Sequence, residues 1–465
     1  MRRLTRLLSA AVVGVYVLVV VGATAALADA ARACGTWPGC SLAGPVDPAL
    51  LVAVGHRVMA AVVGLLVLVG AFAAWRSGAS RRVRLALAAA VLLYPVQVLV
   101  GGAVAVFGAP ALVSGGHLLV GTAIFSSLVL ALAWHLEAET GTDDSPKGRP
   151  EPALDGEEPV APAGAPDPPS PAYDSLLARA KGTAWAYFRL TKPRLMWLLC
   201  LVASAGMALA AGPGLSVGTV VATLGGGVLA IGASGTFNHV LERDVDARMD
   251  RTSDRPVATH RVPVRNAVAF GLALAVLSLV AFLSVNLLAA VLGLVAILFY
   301  SVVYTLLLKP NTVQNTVIGG FAGALPALIG WAAVTGEVGL PGLVLAGVVF
   351  LWTPAHFYNL ALAYRDDYER GGFPMMPVVR GETETRKHIL LYLGATLLGA
   401  SVLSALTELG WLYAATTVGL GAVFLAAVVR LHYERSESAA FRAFHASNAY
   451  LGLLLLAVVV DSLAF

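Results

Sequence analysis

The chain has 465 residues, 58% of them hydrophobic and only 12% charged, with 31 Lys and Arg against 27 Asp and Glu and a mean hydropathy of +0.80. Soluble domains carry about a quarter charged residues, so an ordinary soluble enzyme is excluded and an integral membrane protein is indicated. The apolar runs are long and unbroken, which excludes the alternating strands of a membrane barrel and leaves an all-α bundle in a lipid bilayer, with no nucleic-acid partner.

In chain order, spans are predicted near 8–28, 51–74, 84–107, 112–135, 195–211, 217–241, 265–285, 288–308, 315–335, 341–363, 388–407, 411–430 and 444–465, about thirteen transmembrane helices. The basic segments Met1–Arg6, Arg76–Arg84, Lys181–Arg194, Arg243–Arg265, Lys309, Arg365–Lys387 and Arg430–Arg442 all fall on one side if the N-terminus is cytoplasmic.

The first run, MRRLTRLLSAAVVGVYVLVVVGATAALADA, reads either as a retained helix or as a signal peptide cleaved near Ala28–Ala30. Its apolar stretch exceeds the roughly 7–15 residues of a signal core and favours the retained helix. Both readings put Cys34 and Cys40, in ACGTWPGC, on the oxidising face, where a disulfide can persist; two unpaired loop thiols are the other reading. Cys200 lies within a span and reads as a small buried hydrophobe. Further on, EAETGTDDSPKGRPEPALDGEEPVAPAGAPDPPSP is rich in Pro, Asp and Glu and holds no aromatic residue. It predicts a disordered cytoplasmic linker over 137–180, between a four-helix module at 1–136 and a nine-helix module at 181–465.

The sixth span ends in NHVLERDVDARMDRTSDRP, residues 238–256, with four arginines among five carboxylates. Asn238, Glu242 and Asp246 are spaced i, i+4, i+8 and so share one helical face. A solvated helix end is the bland reading, but three features weigh against it. The tenth span ends in a second acidic site, HFYNLALAYRDDYERGGFPMMPVV, carrying His356, Asn359, Asp366 and Asp367. Two carboxylate clusters at one membrane depth suit hard divalent cations such as Mg2+ that bridge phosphates. Lys309, with Arg251 and Arg255 nearby in topology, could neutralise a diphosphate leaving group. Both loops also run from acid cluster to arginine to a Gly or Pro turn, a weak internal repeat, and charges facing a bundle interior are functional candidates.

The three segments NHVLERDVDARMDRTSDRP, YTLLLKPNTVQNTVIGGFAGALPALIGW and LWTPAHFYNLALAYRDDYERGGFPMMPVV closely resemble the signatures of the protoheme IX farnesyltransferases, the heme O synthase branch of the intramembrane aromatic prenyltransferases, across about 181–465. Generic superfamily members carry Asn-Asp-x-x-Asp-x-x-x-Asp. This chain has Asn238-His239 and Glu242, the variant of the heme branch, and the His356-Phe357 pair belongs to the same branch. The resemblance implies that Asn238, Glu242 and Asp246 hold one Mg2+ on farnesyl diphosphate, that Asp367 with Asp366 holds a second, and that Lys309 and Arg251 take phosphate charge. It further implies attack of a heme B vinyl group on the allylic cation, with water completing heme O for a terminal oxidase or heme A synthase in the cell membrane. Lys309-Pro310 and Ala355 depart from the family's usual residues without removing a ligand.

The segments VVGATAALADAARACGTWPGC, VGHRVMAAVVGLL, YPVQVLVGGAVAVFG and SGGHLLVG resemble one half of a heme A synthase, in which His56 and His117 match heme-site positions. Each lies about five residues into its span, so the two imidazoles could ligate one heme iron from opposite faces with Arg57 available for a propionate; a pair of buried packing histidines is the other reading. Ala53 stands where that family commonly has Glu, so no heme A is expected. Two rival functions are weighed. A transporter would place its charges near the midplane rather than at one face. A prenyltransferase acting on a quinone precursor or a lipid alcohol is the alternative within enzymes, and His239 and His356 argue against it.

Overall fold

The computed structural model describes residues 3–27, 33–34, 36–40, 47–108, 111–142 and 175–464, all helix and connecting turns with no strand among them. The helices are α1 (Arg3–Leu27), α2 (Pro48–Arg76), α3 (Arg81–Phe107), α4 (Ala111–Thr140), α5 (Leu176–Leu190), α6 (Pro193–Ala211), α7 (Val217–Leu241), α8 (Arg243–Asp246) and α9 (Val264–Leu283). Then follow α10 (Leu287–Leu298), running on as a π-helix over Phe299–Leu308, α11 (Asn315–Thr335), α12 (Leu340–Ala363), α13 (Arg365–Arg370), α14 (Met376–Val379), α15 (Glu382–Leu406), α16 (Trp411–Glu434) and α17 (Glu437–Ala464). Thirteen helices among the described residues are long and apolar enough to cross a membrane, in agreement with the hydropathy reading.

Most of the predicted linker, 143–174, and the cleavage position near Ala28–Ala30 lie outside the described residues. Both flanks of the linker are helical rather than disordered, with α4 continuing to Thr140 and α5 starting at Leu176. Charge partners explain the first extension: Glu137 accepts from Lys387 Nζ at 2.7 Å. A cap explains the second, since the Ser175 hydroxyl accepts from Ala178 N at 3.2 Å.

The chain divides into two compact units. The first takes Met1–Asp144, Pro354–Asn359 and Thr383–Phe465, so the last three helices of the sequence pack with the first four. Packing units therefore do not follow the linear modules. Hydroxyl contacts tie the two ends of the chain together: Tyr16 of α1 lies 2.8 Å from Thr417 of α16, which lies 3.2 Å from Tyr450 of α17. Thr5 of α1 meets Tyr433 at 2.7 Å and His135 at 3.1 Å. Such interhelical bonds satisfy polar groups that lipid would leave bare. Asp461 of α17 accepts from Gly410 N and Tyr413 N, capping the start of α16. Cys34 and Cys40 form a disulfide. Arg57 donates to three carbonyls of that loop, at Thr36, Pro38 and Gly39.

The second unit comprises Ser145–Thr353 and Leu360–Glu382. Its α6 and α11 cross at glycines, as small residues allow in a membrane bundle. A Cβ on Gly330 would lie 2.1 Å from Ala203 O, and one on Gly206 only 2.4 Å from Ala327 O. Backbone cannot yield as a side chain can. Gly330→Ala should therefore lower stability by about 1–3 kcal/mol through forced separation of the two helices, read as a fall in Tm in detergent. Gly347→Ala, where nothing lies within 4 Å, is the control that should not move; equal behaviour of the two variants would refute the tight crossing.

Candidate active site

The charged segment after α7 keeps its helical register although the helix itself breaks. Glu242 N bonds to Asn238 O at 3.0 Å and Asp246 N to Glu242 O at 2.7 Å, so the three residues remain one turn apart across the α7–α8 junction. All three are buried. Carboxylates out of water must be paired, and the fold supplies the partners from two directions.

From one side the loop after α8 folds back. Thr252 Oγ1 donates to Asp246 O at 3.1 Å, and Arg255 Nη1 reaches both Asp246 carboxylate oxygens, at 2.8 and 2.6 Å. The same nitrogen lies 3.7 Å from Glu242. From the other side comes the π-helix, whose wider turn ends at Lys309. Lys309 Nζ donates to Glu242 Oε1 at 2.6 Å and sits 4.2 Å over the Phe373 ring. Asn238 Nδ2 donates to Thr305 Oγ1 at 3.2 Å, and that hydroxyl donates to Tyr300 O.

Lys192 is the site residue that sequence reasoning missed. It adopts a left-handed conformation, φ 52°, immediately before Pro193 opens α6. The turn lies against Gly235 of α7, where a Cβ would stand 2.9 Å from Leu190 O. That close approach brings Lys192 Nζ onto Asn238 Oδ1 and within 3.1 Å of the Tyr300 hydroxyl. Its only signal in the sequence is a lone Lys-Pro ahead of an apolar run, RLTKPRLMW.

The second acidic site joins the first. Asp367, buried on α13, accepts from Asp250 N at 2.8 Å and from Arg370 Nη2 at 2.9 Å. Its Oδ2 is buried without a hydrogen-bond partner. Asp366, its neighbour, is exposed and is not brought in. Gly372 turns the chain after α13 at φ 69°, a conformation that favours glycine. Arg251 donates to the Tyr368 hydroxyl at 3.1 Å and lies over the rings of Tyr364 and Tyr368 at 5.2 and 5.4 Å.

His239 is buried, with Nδ1 unpartnered. His356 belongs to the first unit, where Nδ1 lies 2.7 Å from Ser447 Oγ and the ring stacks on Phe444 at 4.4 Å. His56 and His117, also in the first unit, each leave Nδ1 without a partner, while His117 Nε2 lies 3.2 Å from Gln97.

Among the described residues no three His, Cys, Asp or Glu side chains form a ready metal cage. The donors on hand are two carboxylates and an amide at Asn238, Glu242 and Asp246, and the free oxygen of Asp367. That set fits Mg2+, which binds through one or two carboxylates and takes its remaining ligands from substrate phosphates and water. Burial pushes the Glu242 carboxyl up, but the charges of Lys309, Lys192 and Arg255 outweigh it and hold it below the usual range. Burial, with repulsion from Arg255, pulls Lys192 down to about 7, against the attraction of Glu242 and Asp246.

An all-helical membrane chain with oxygen donors and cations gathered beside its spans suits a membrane prenyltransferase, and residues 198–454 match the UbiA prenyltransferase family. The chain belongs to that family. Within it, the chain is 70% identical over 461 residues to "Protoheme IX farnesyltransferase 1" of Natronomonas pharaonis, covering 98% of each chain. It is 66% identical over 467 residues to "Protoheme IX farnesyltransferase" of Haloarcula marismortui, covering 100% of this chain and 99% of that one. A solved structure of digeranylgeranylglyceryl phosphate synthase shares the fold, with TM-score 0.52 and 15% identity over 61% of this chain and all of that one.

The Lys192 value carries a pH expectation. With its folded value near 7, the ammonium is present below that pH and lost above it. Diphosphate binding should therefore weaken as pH rises through 7, by up to about tenfold per unit for one coupled proton. Titration of inorganic diphosphate by calorimetry between pH 6 and 9 checks this. Lys192→Met should bind more weakly and lose the part of the pH slope that is not the ligand's own; identical slopes for both proteins would remove Lys192 from the anion site.

Proposed function

We propose that the chain transfers the farnesyl group of farnesyl diphosphate to a vinyl group of heme B, with addition of water, giving heme O and diphosphate. The observation that carries this reading is the meeting of Asn238, Glu242, Asp246 and Asp367 with Lys192, Arg255 and Lys309 at one end of an apolar bundle; the full-length likeness to named protoheme IX farnesyltransferases supports it. Bound Mg2+, held by Asn238, Glu242 and Asp246 and by Asp367, supplies Lewis-acid neutralisation of the diphosphate. Lys192, Lys309, Arg255 and Arg251 bind the phosphate oxygens. The C1–O bond breaks with its electron pair leaving on the diphosphate, and these cations stabilise the charge where it grows. The vinyl terminal carbon bonds to C1, water adds to the inner vinyl carbon, and the proton it releases is taken up by the diphosphate. No side chain acts as nucleophile. The protein is a multi-pass membrane protein; its place in the cell membrane with a cytoplasmic N-terminus, and passage of product to a heme A synthase or terminal oxidase assembly, belong to the same proposal.

Glu242→Gln and Asp367→Asn should each lower transfer by roughly a hundredfold or more, equivalent to several kcal/mol of transition-state stabilisation. Membranes holding either variant, incubated with heme B, farnesyl diphosphate and Mg2+, are read by mass analysis of extracted heme. Near-normal turnover of both variants at saturating Mg2+ contradicts the assignment.

Residues 1–136, with their likeness to half of a heme A synthase, hold a second heme in this proposal, through His56 and His117. Support comes from the two unpartnered Nδ1 atoms. Arg57 is not offered for a propionate, because the carbonyls of the disulfide loop occupy its guanidinium. The full chain reconstituted with heme should show a bis-histidine absorption spectrum that His56→Ala or His117→Ala removes. A spectrum unchanged in both variants excludes this site.

A further inference from the structure

An apolar cavity of the second unit runs along α7, and its polar end is formed by Lys192 and Tyr300. That lysine is the one on Asn238, so the cavity opens beside the diphosphate site. Gly235 and Thr223 are the α7 residues at the two ends of its wall. Twelve positions separate them, about 18 Å at a rise of 1.5 Å per residue. An isoprene unit contributes four carbon–carbon bonds of about 1.5 Å, roughly 5 Å when extended, so three units need about 15 Å and four about 20 Å. The wall accommodates three units and falls short of four.

Toward the far end of that wall, beside Gly226, stands a side chain that cannot step aside. Phe282 of α9 lines the cavity and is fully buried, packed in one cluster with Ala230 and Ile329. A Cβ on Gly226 of α7 would meet its ring at 3.0 Å, and one on Gly293 of α10 would meet it at 2.5 Å. The two glycines thus clasp the ring. Ala203 and Ile329 also line the cavity, beside the α6–α11 crossing at Gly206 and Gly330, where no space remains for a longer tail to pass between the helices.

We propose that Phe282, clasped by Gly226 and Gly293, is the floor of the tail cavity and sets the preferred donor at fifteen carbons. This inference rests on the farnesyl-transfer reading and names the part of the molecule that measures the farnesyl chain. Discrimination arises because a fourth isoprene must displace the ring from a close-packed seat, while a shorter tail leaves apolar wall uncovered.

The test compares geranyl, farnesyl and geranylgeranyl diphosphates as donors to heme B, with products identified by mass, for the full-length protein and two floor variants. Phe282→Ala should raise the ratio of kcat/KM for geranylgeranyl over farnesyl diphosphate at least tenfold, the scale on which apolar pockets discriminate by size. Phe282→Leu, a milder truncation, should shift the ratio in the same direction and carries the test if the alanine variant does not fold. Thr223→Leu, adding bulk at the same end, should favour geranyl over farnesyl diphosphate. Wild-type protein that makes heme O, beside a folded Phe282 variant with an unchanged donor ratio, overturns the floor while leaving the farnesyl-transfer reading intact. Wild-type protein that prenylates heme with none of the three donors overturns that reading instead.

Discussion

Two carboxylates are buried at the end of α7, and a buried carboxylate cannot remain unpaired without a cost of several kcal/mol. Much of the local structure at this end of the second unit follows from that constraint. The loop after α8 returns so that Arg255 can reach Asp246. The π-helix delivers Lys309 to Glu242, and the left-handed turn at Lys192, pressed on Gly235, brings a third cation to the amide of Asn238, one turn before Glu242. Each partner holds another in position, so the site folds as a unit rather than as a set of independent ligands.

In the proposed reaction the same pairing would serve the leaving group. Three cations surround two carboxylates, an excess of one positive charge when all are ionised. In that reaction a diphosphate arriving with a divalent cation would let the ammonium and guanidinium groups turn to phosphate and the carboxylates to the metal. Asp367 differs from the other two carboxylates, since one of its oxygens has no partner to surrender.

The spans were legible because lipid demands long apolar helices, and one such run, predicted at 288–308, is the continuous span Leu287–Leu308. The change of that rod to π geometry at Phe299 was not legible, because its apolar composition does not change there. Helix α5 was read as a basic loop; its buried stripe is short, with Ala186 and Leu190 packed on Val257, Val262 and Ala267. Spacing put Asn238, Glu242 and Asp246 on one helical face, but only the second acidic site, Lys309 and the repeated charge order set them apart from a solvated helix end. Which of Asp366 and Asp367 turns inward was not legible, since adjacent residues of a helix point roughly 100° apart and only docking decides which of them is buried. Lys192 depended on an approach of two helices that a linear pattern does not encode. The packing of α15, α16 and α17 with the first four helices rests on contacts such as Tyr16–Thr417 and Thr5–Tyr433, pairs hundreds of positions apart.

A single helix gives the reaction its spatial order. The small residues of α7, from Thr223 through Gly227, Ala230 and Ser234 to Gly235, form an apolar wall, and the next turn carries Asn238. A prenyl tail lying on that wall has its reactive carbon at the boundary between the apolar cavity and the charged cluster. Proposed heme O formation needs water, yet water arriving first at the allylic cation would yield free farnesol. The apolar wall of α7 would keep water from the tail side of that cation, leaving the vinyl carbon less competition for it. Attack by the vinyl carbon can then precede hydration, which is the order that the product requires.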